Sequence, residues 1–265
     1  MVLISDVDGT IFERGVLGRD ALPGIGGLKA CGVPLVLLSS KTLEEMEIIH
    51  GGLGLDAPFS FENGAGIAFP VNEGTGKDNE KKWKIELTGP DTGVLRGLCP
   101  LIEDATGKNI VLLEEMELKD LMDWTGLSAE GARMAKMRRA SMPFLTADRR
   151  PLSVEEKSRL NVRLQDPGYR VTWGGRFHHL LAAGSGKGKA VGRLRFHYLE
   201  LSKGSVTMVG IGDSENDFGL LDAVDIPYLV RSPESDIDYG KLKYRVTMAS
   251  GPRGFSEAVA EIWGE

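Results

Sequence analysis

Two carboxylates one residue apart, Asp6 and Asp8 in Asp6-Val7-Asp8-Gly9-Thr10, directly follow the apolar run Val2-Leu3-Ile4-Ser5. Like charges that close resist joint ionisation. A divalent cation in an oxygen-only site relieves the repulsion, and such a site suits Mg²⁺. The other reading of these residues is an Asp-capped turn with Asp8-Gly9 as its turn dipeptide. A second acidic loop, Gly212-Asp213-Ser214-Glu215-Asn216-Asp217, follows another apolar run, Val206–Ile211. By itself it reads as the polar first turn of a helix. Two such loops at one sheet edge bring Asp6, Asp8, Asp213 and Asp217 together. Ser39-Ser40-Lys41 offers hydroxyls and helix-start N–H groups to an anion, or else is a plain N-cap. In Gly184-Ser185-Gly186-Lys187-Gly188-Lys189 the spacing of a Walker loop is absent. Lys187 there supplies a point charge for a phosphate and for a nucleophile, or sits on the solvated surface.

The elements that must position these groups are legible in outline. Val33–Leu38 is apolar throughout, as a strand covered on both faces should be. Thr42-Leu43-Glu44-Glu45 has the spacing of a capping box, so a helix starts there. Strands recur at 206–211 and 226–230, and their alternation with helices predicts parallel βαβ units with loops gathered at the strand C-terminal ends. The middle breaks that alternation. Residues 72–82 read as a polar linker or hairpin tip, Lys84–Leu87 follows, and helices are predicted near 91–104, 117–124, 128–139 and 153–165. Strand-like runs lie at 169–173 and 177–182. The expected fold is α/β: a Rossmann-like parallel-sheet core, 1–81 and 184–265, with an inserted α+β domain over 82–183.

Composition bounds the setting. The chain has 265 residues, 42% hydrophobic and 26% charged, which is ordinary for a globular protein. No stretch reaches the roughly 20 apolar residues of a membrane span, and Asp6 with no basic flank argues against a signal peptide. Two cysteines, Cys31 and Cys99, are too few for a disulfide scaffold and fit a reducing cytoplasm. A net charge of −6 gives no general attraction to nucleic acid or anionic membrane. An anionic substrate therefore needs a local site.

Asp6-Val7-Asp8-Gly9-Thr10, Ser39, Lys187 and Gly212–Asp217 resemble, in order, the four motifs of the haloacid dehalogenase superfamily of phosphohydrolases. The insertion lies between the second and third motifs, where one class of that superfamily carries an α/β cap. A closer resemblance is to mannosyl-3-phosphoglycerate phosphatases. Its carriers are Ser39-Ser40-Lys41-Thr42, Glu62-Asn63-Gly64-Ala65-Gly66, Thr125-Gly126-Leu127-Ser128, Trp173-Gly174-Gly175-Arg176-Phe177-His178-His179, Gly186–Ala190 and Gly251–Phe255. One departure is Arg138-Arg139-Ala140-Ser141-Met142 before Pro143-Phe144, where the family commonly has an acidic stretch.

The resemblance implies an Mg²⁺-dependent phosphatase acting on mannosyl-3-phosphoglycerate, a small phosphorylated sugar-glycerate, through an aspartyl-phosphate on Asp6. Asp8 is then the general acid and base. Asp6, Asp8 (by its carbonyl), Asp213, Ser214 and Asp217 form or orient the metal site. Ser39, Ser40 and Lys187 take the phosphate, with strand alignment favouring Ser39 over Ser40. Lys41, Asn63, Arg176 as a carboxylate fork, and His178 or His179 contact the rest of the substrate. Strand alternation allows only one of the two histidines to face the site. Rivals are a glucosyl-3-phosphoglycerate or general sugar-phosphate phosphatase, a phosphomutase, and a non-catalytic sugar-phosphate sensor.

Overall fold

The computed structural model describes residues 1–71, 82–174, 176–233 and 237–263. Strand β1 (Val2–Ser5) is buried along its length. The short pair β2 (Phe12–Glu13) and β3 (Val16–Leu17) follows, then helix α1 (Leu22–Ala30), β4 (Leu35–Leu38) and α2 (Leu43–Gly52). The α2 N-terminus carries the expected box: Thr42 Oγ1 accepts from the Glu45 N–H and the Glu45 carboxylate accepts from the Thr42 N–H. Next come β5 (Phe59–Phe61), β6 (Gly66–Val71) and β7 (Lys82–Leu87). The middle of the chain holds α3 (Thr92–Arg96), α4 (Cys99–Thr106), β8 (Ile110–Leu112), α5 (Leu118–Thr125) and α6 (Ala129–Ala135). It continues through β9 (Ser141–Thr146), α7 (Val154–Gln165), β10 (Tyr169–Gly174) and β11 (Phe177–Ala182). The chain ends with α8 (Lys187–Ser202), β12 (Met208–Gly212), α9 (Phe218–Leu221), β13 (Ile226–Arg231), β14 (Arg245–Ser250) and α10 (Gly251–Trp263).

The strands form a large sheet in the order β14-β13-β12-β1-β4-β5-β6-β7, parallel from β14 to β5 and antiparallel beyond. Its apolar strands feed two cores. Leu3, Leu37 and Ile211 pack on one face, and Val2, Ile4, Val36 and Leu38 on the other. Each such fully buried side chain contributes roughly 1.5–3 kcal/mol, which is why no polar alternation is needed here.

A second, antiparallel sheet runs β10-β11-β9-β8. Leu180, Met142 and Val171 pack with Leu160 and Leu164 of α7 on one face, while Leu145 and Phe177 pack with Leu121 of α5 on the other. One boundary differs from the sequence reading. Lys82–Leu87, placed there in the inserted unit, pairs with β6 from Gly66↔Leu87 to Val71↔Lys82 and is an edge strand of the large sheet. Trp83 and Ile85 explain this, because both pack on the large-sheet core. The predicted linker over 72–82 lies, except for Lys82, outside the described residues. Neither cysteine is in a disulfide, and among the described residues no helix is long and apolar enough to cross a membrane.

Candidate active site

Parallel pairing of β1 with β12 sets Ser5 against Ile211, and the Asp6 N–H extends the ladder by donating to the Ile211 carbonyl at 2.9 Å. Asp6 and Asp213 thus leave adjacent strands at the same edge. Gly9 lets them close up. It holds φ +84°, and a Cβ there would fall 2.3 Å from Asp213 Oδ2. Thr10 Oγ1 donates to Asp213 Oδ1 at 3.4 Å, a buried contact for which the sequence reading assigned no role.

Lys187, the first residue of α8, reaches into this group. Its Nζ donates to Asp6 Oδ1 at 2.5 Å and to Asp217 Oδ1 at 2.6 Å. The other Asp217 oxygen accepts from the Asp213 N–H, the Ser214 N–H and the Ser214 hydroxyl at 3.0–3.1 Å. Fully buried and fully engaged, Asp217 acts by holding Lys187 and the 213–214 turn. Burial, then Asp217, raise the Asp6 pKa to about 7, and burial, then Asp217 and Asp6, raise that of Asp213 to about 8. Burial works against the Lys187 charge, yet Asp217 and Asp6 outweigh it and raise its pKa.

Carboxylate oxygens of Asp6, Asp213 and Asp217 lie within 4.8 Å of one another. If all three ionised, their charge would exceed the one positive charge of Lys187 by two in a nearly dry site, which is why Asp6 and Asp213 hold their protons more tightly than usual. Oxygen-only donors with that surplus fit a hard divalent cation. Asp8 is not among those clustered carboxylates. Its side chain is 44% exposed and pairs with Lys41 Nζ at 2.8 Å. Burial opposes the Lys41 charge, but Asp8 and Glu45 raise its pKa overall.

The second sheet and its helices stand over this edge, enclosing a cavity of about 1780 Å³. Asp6, Asp8, Ser40, Lys41, Asn63, Arg176, Lys187, Asp213 and Ser214 all line it. Ser39 does not. It is 1% exposed, and its Oγ accepts from the Lys41 N–H, so Ser40 rather than the favoured Ser39 meets the cavity.

His178 is also displaced from its predicted role. It is 1% exposed, its Nε2 accepts from the Leu152 N–H at 3.0 Å, and its ring packs on Phe144 and Trp173. Burial pushes its pKa down to about 4. His179, on the opposite face of β11, lines the cavity. Arg176 is exposed at the cavity, where its guanidinium donates to the Trp124 carbonyl.

Asn63 sits in a left-handed pair with Glu62, at φ 58° and 50°. The turn is held by Asn63 N–H to Ser39 carbonyl and Glu62 N–H to Lys41 carbonyl, both 2.8 Å. Asn63 Oδ1 accepts from Asn216 Nδ2, and its own Nδ2 is buried with no protein partner. Glu62, which the sequence places beside Asn63 without a role of its own, is fully buried. Its carboxylate accepts from the Arg139 and Ala140 N–H groups and the Ser141 hydroxyl at 2.7–3.0 Å, joining the large-sheet edge to the start of β9. The Arg138-Arg139 departure works at the same seam: Arg138 donates to the Ser40 carbonyl at 2.6 Å and Arg139 pairs with Glu44 at 2.8 Å. A lone acid before Asn-Gly was the available signal for Glu62, but its partners are about eighty residues away in sequence.

No protein-family model matches the chain. A glucosyl-3-phosphoglycerate/mannosyl-3-phosphoglycerate phosphatase of Persephonella marina is 32% identical over 273 residues, spanning 100% of this chain and 98% of that protein. One of the same description from Methanococcoides burtonii is 30% identical, spanning 100% and 97%. Among solved structures, a haloacid dehalogenase-like hydrolase of B. subtilis matches with TM-score 0.62 at 14% identity, covering 100% of this chain and 99% of that one, which shows a shared fold.

Proposed function

We propose, from the premise that the chain belongs to the glucosyl-3-phosphoglycerate/mannosyl-3-phosphoglycerate phosphatase family of the haloacid dehalogenase superfamily, that it hydrolyses these glycosyl phosphoglycerates to the glycosylglycerate and phosphate. The observation that carries the reading is Asp6, held against Lys187 and beside Asp213, at the floor of a cavity roofed by the second sheet.

In this reading the large-sheet unit performs the chemistry and the unit after Leu87, up to about residue 183, is the cap that selects the substrate. The Asp6 carboxylate attacks phosphorus in line and forms an aspartyl-phosphate, the covalent route open to a carboxylate nucleophile. Asp8, half-exposed toward the cavity and paired with Lys41 at rest, takes up a proton and leaves that pair to act as the acid, giving the proton to the departing glycerate oxygen. It then takes a proton from the water that attacks the phosphoenzyme. Such acid–base help is worth about 10²–10⁴-fold. Lys187, Ser40 and the backbone at the α2 start hold the non-bridging oxygens. Asp6, Asp213 and the Asp8 carbonyl would hold Mg²⁺, with Asp217 and Ser214 orienting that set; when bound, the ion supplies charge neutralisation between carboxylate and phosphate. Apposition of the cap excludes water from Asp6. A reducing cytoplasm suits such an enzyme and its two unpaired cysteines.

The test is phosphate release from mannosyl- and glucosyl-3-phosphoglycerate side by side, with Asp6→Asn as the blank. Mg²⁺-dependent release that falls at least about 10³-fold in Asp6→Asn is the expected result, from loss of the nucleophile. Turnover of simple sugar phosphates with neither glycosyl ester cleaved would refute the substrate while keeping the chemistry. A requirement for a bisphosphate activator would turn the reading to a mutase.

A further inference from the structure

We propose that Arg170, with Thr172 and His179 beside it on the cap sheet, forms the subsite that takes the substrate's carboxylate. The proposal deepens the reading above and rests on it for the identity of the natural substrate as a phosphoglycerate ester. In β10 the side chains alternate. Val171 is buried under α7, so Arg170 and Thr172 share the opposite face, and both line the cavity that holds Asp6. Thr172 pairs with His179 across the strands, and His179 lines the same cavity.

Arg170 donates from Nη2 to the Ser185 carbonyl at 3.0 Å, but its Nε is buried with no partner, as is Thr172 Oγ1. No carboxylate among the described residues pairs with its guanidinium; burial alone acts on it, lowering its pKa. Unsatisfied buried donors cost about 1–3 kcal/mol each, more when charged. An uncompensated guanidinium facing a reactive cavity is therefore a built anion receptor, and its planar fork matches a carboxylate.

Its place fits one anion rather than another. The phosphate already has Lys187, Ser40 and the helix starts. Gly186, at φ +133°, would carry a Cβ only 2.0 Å from Arg170 Nη2, so the guanidinium lies against the residue before Lys187. In a 3-phosphoglycerate ester two carbons separate the ester oxygen from the carboxyl carbon, which puts the two anions within about 5 Å. Arg176 is at the far end of the hairpin. The β10–β11 pairing runs from Arg170↔Leu181 to Gly174↔Phe177, and those four residues of strand span about 13 Å. Arg170, set against the residue before Lys187, is placed for the carboxylate of a small molecule whose phosphate rests on Lys187, and Arg176 is left to the sugar end or to the Trp124 carbonyl it already holds.

The experiment is calorimetric binding of two probes to the Asp6→Asn protein with Mg²⁺: 3-phosphoglycerate, and the glycerol phosphate of the same configuration, which has an alcohol in place of the carboxylate. Each is measured with Arg170 intact, with Arg170→Gln and with Arg170→Lys. The intact protein should prefer the carboxylate probe. Arg170→Gln should shrink that preference by about 10- to 100-fold, the worth of one charge-assisted pair, and Arg170→Lys should restore part of it. No preference in the intact protein, or equal weakening of both probes in Arg170→Gln, overturns the proposal. The comparison does not depend on the sugar, so a failure to cleave either glycosyl ester refutes the natural substrate separately.

Discussion

Replacing Glu62 tests the seam between the two sheets most directly. The carboxylate is fully buried and receives three donors, the N–H groups of Arg139 and Ala140 and the Ser141 hydroxyl, at 2.8, 3.0 and 2.7 Å. Hydrogen bonds to a charged group contribute about 1.5–3 kcal/mol each. Three of them outweigh the several kcal/mol it costs to keep one carboxylate dry. In Glu62→Gln the carbonyl can keep the two donors on Oε2, while the amide nitrogen meets the Arg139 N–H donor to donor. One charge-assisted bond is lost, about 2 kcal/mol. In Glu62→Ala all three donors lose their partner, and the relief of desolvation leaves a net loss of about 3 kcal/mol. Because the bonds join two units, global unfolding can miss the loss. Amide hydrogen exchange at Arg139 and Ala140 reads it locally. Losses of 2 and 3 kcal/mol should speed exchange there by about 30- and 150-fold. The KM for the glycosyl ester should rise in the same order if the cap must seat to bind it. Exchange within about threefold of wild type in Glu62→Ala would refute the reasoning, since the donors would then be held by something else.

Four further outcomes follow from the site. Gly9→Ala should raise the half-saturating Mg²⁺ concentration by tenfold or more, because its Cβ would displace the Asp213 carboxylate and its left-handed backbone adds about 1–2 kcal/mol of strain; an unchanged Mg²⁺ titration would count against that geometry. Metal-free protein should lose stability as pH rises from about 5.5 to 8.5, since Asp6 and Asp213, raised to about 7 and about 8, bind protons that the unfolded chain has already released. Mg²⁺ should flatten that slope, and thermal melts with and without chelator check both statements. His178→Phe should cost about 1–3 kcal/mol in urea unfolding by leaving the Leu152 N–H unpaired, with KM little altered. His179→Ala should raise KM and also cost stability, because the side chain lines the cavity but is only 3% exposed.

What the sequence showed, it showed through local rules. Apolar runs that end abruptly in Asp or Ser place Asp6, Ser39 and Asp213 at one sheet edge, because parallel strands all finish on the same side. The Thr42–Glu45 box was legible because capping is a four-residue affair. Periodicity stopped short where phase mattered. Alternation says that His178 and His179 face opposite ways, but not which way. Only the burial of Val171 and Leu180 beneath α7 settles it. The same limit applied at Ser39-Ser40, where the turn after β4 rather than strand parity decides which residue lines the cavity. At β7 the error ran the other way: Trp83 and Ile85 carried enough apolar surface to belong to the large sheet, yet the polar run before them looked like a boundary.

Arg170 and Glu62 were invisible for a common physical reason. Each is a charge whose meaning depends on what surrounds it, and sequence neighbours do not report that. Glu62 is buried among donors from about eighty residues downstream, so its charge is absorbed and serves the seam. Arg170 is set against Gly186 and meets no described carboxylate, so its charge is left available in the cavity that Asp6 lines. A protein gains nothing in stability from a half-buried cation with no anionic partner, and the cost is recovered only when an anion arrives. Each arginine of the hairpin donates to one carbonyl, but Arg170 keeps a buried Nε without a partner while Arg176 is exposed at the tip, so Arg170, the one that is costly at rest, is the better candidate for recognition.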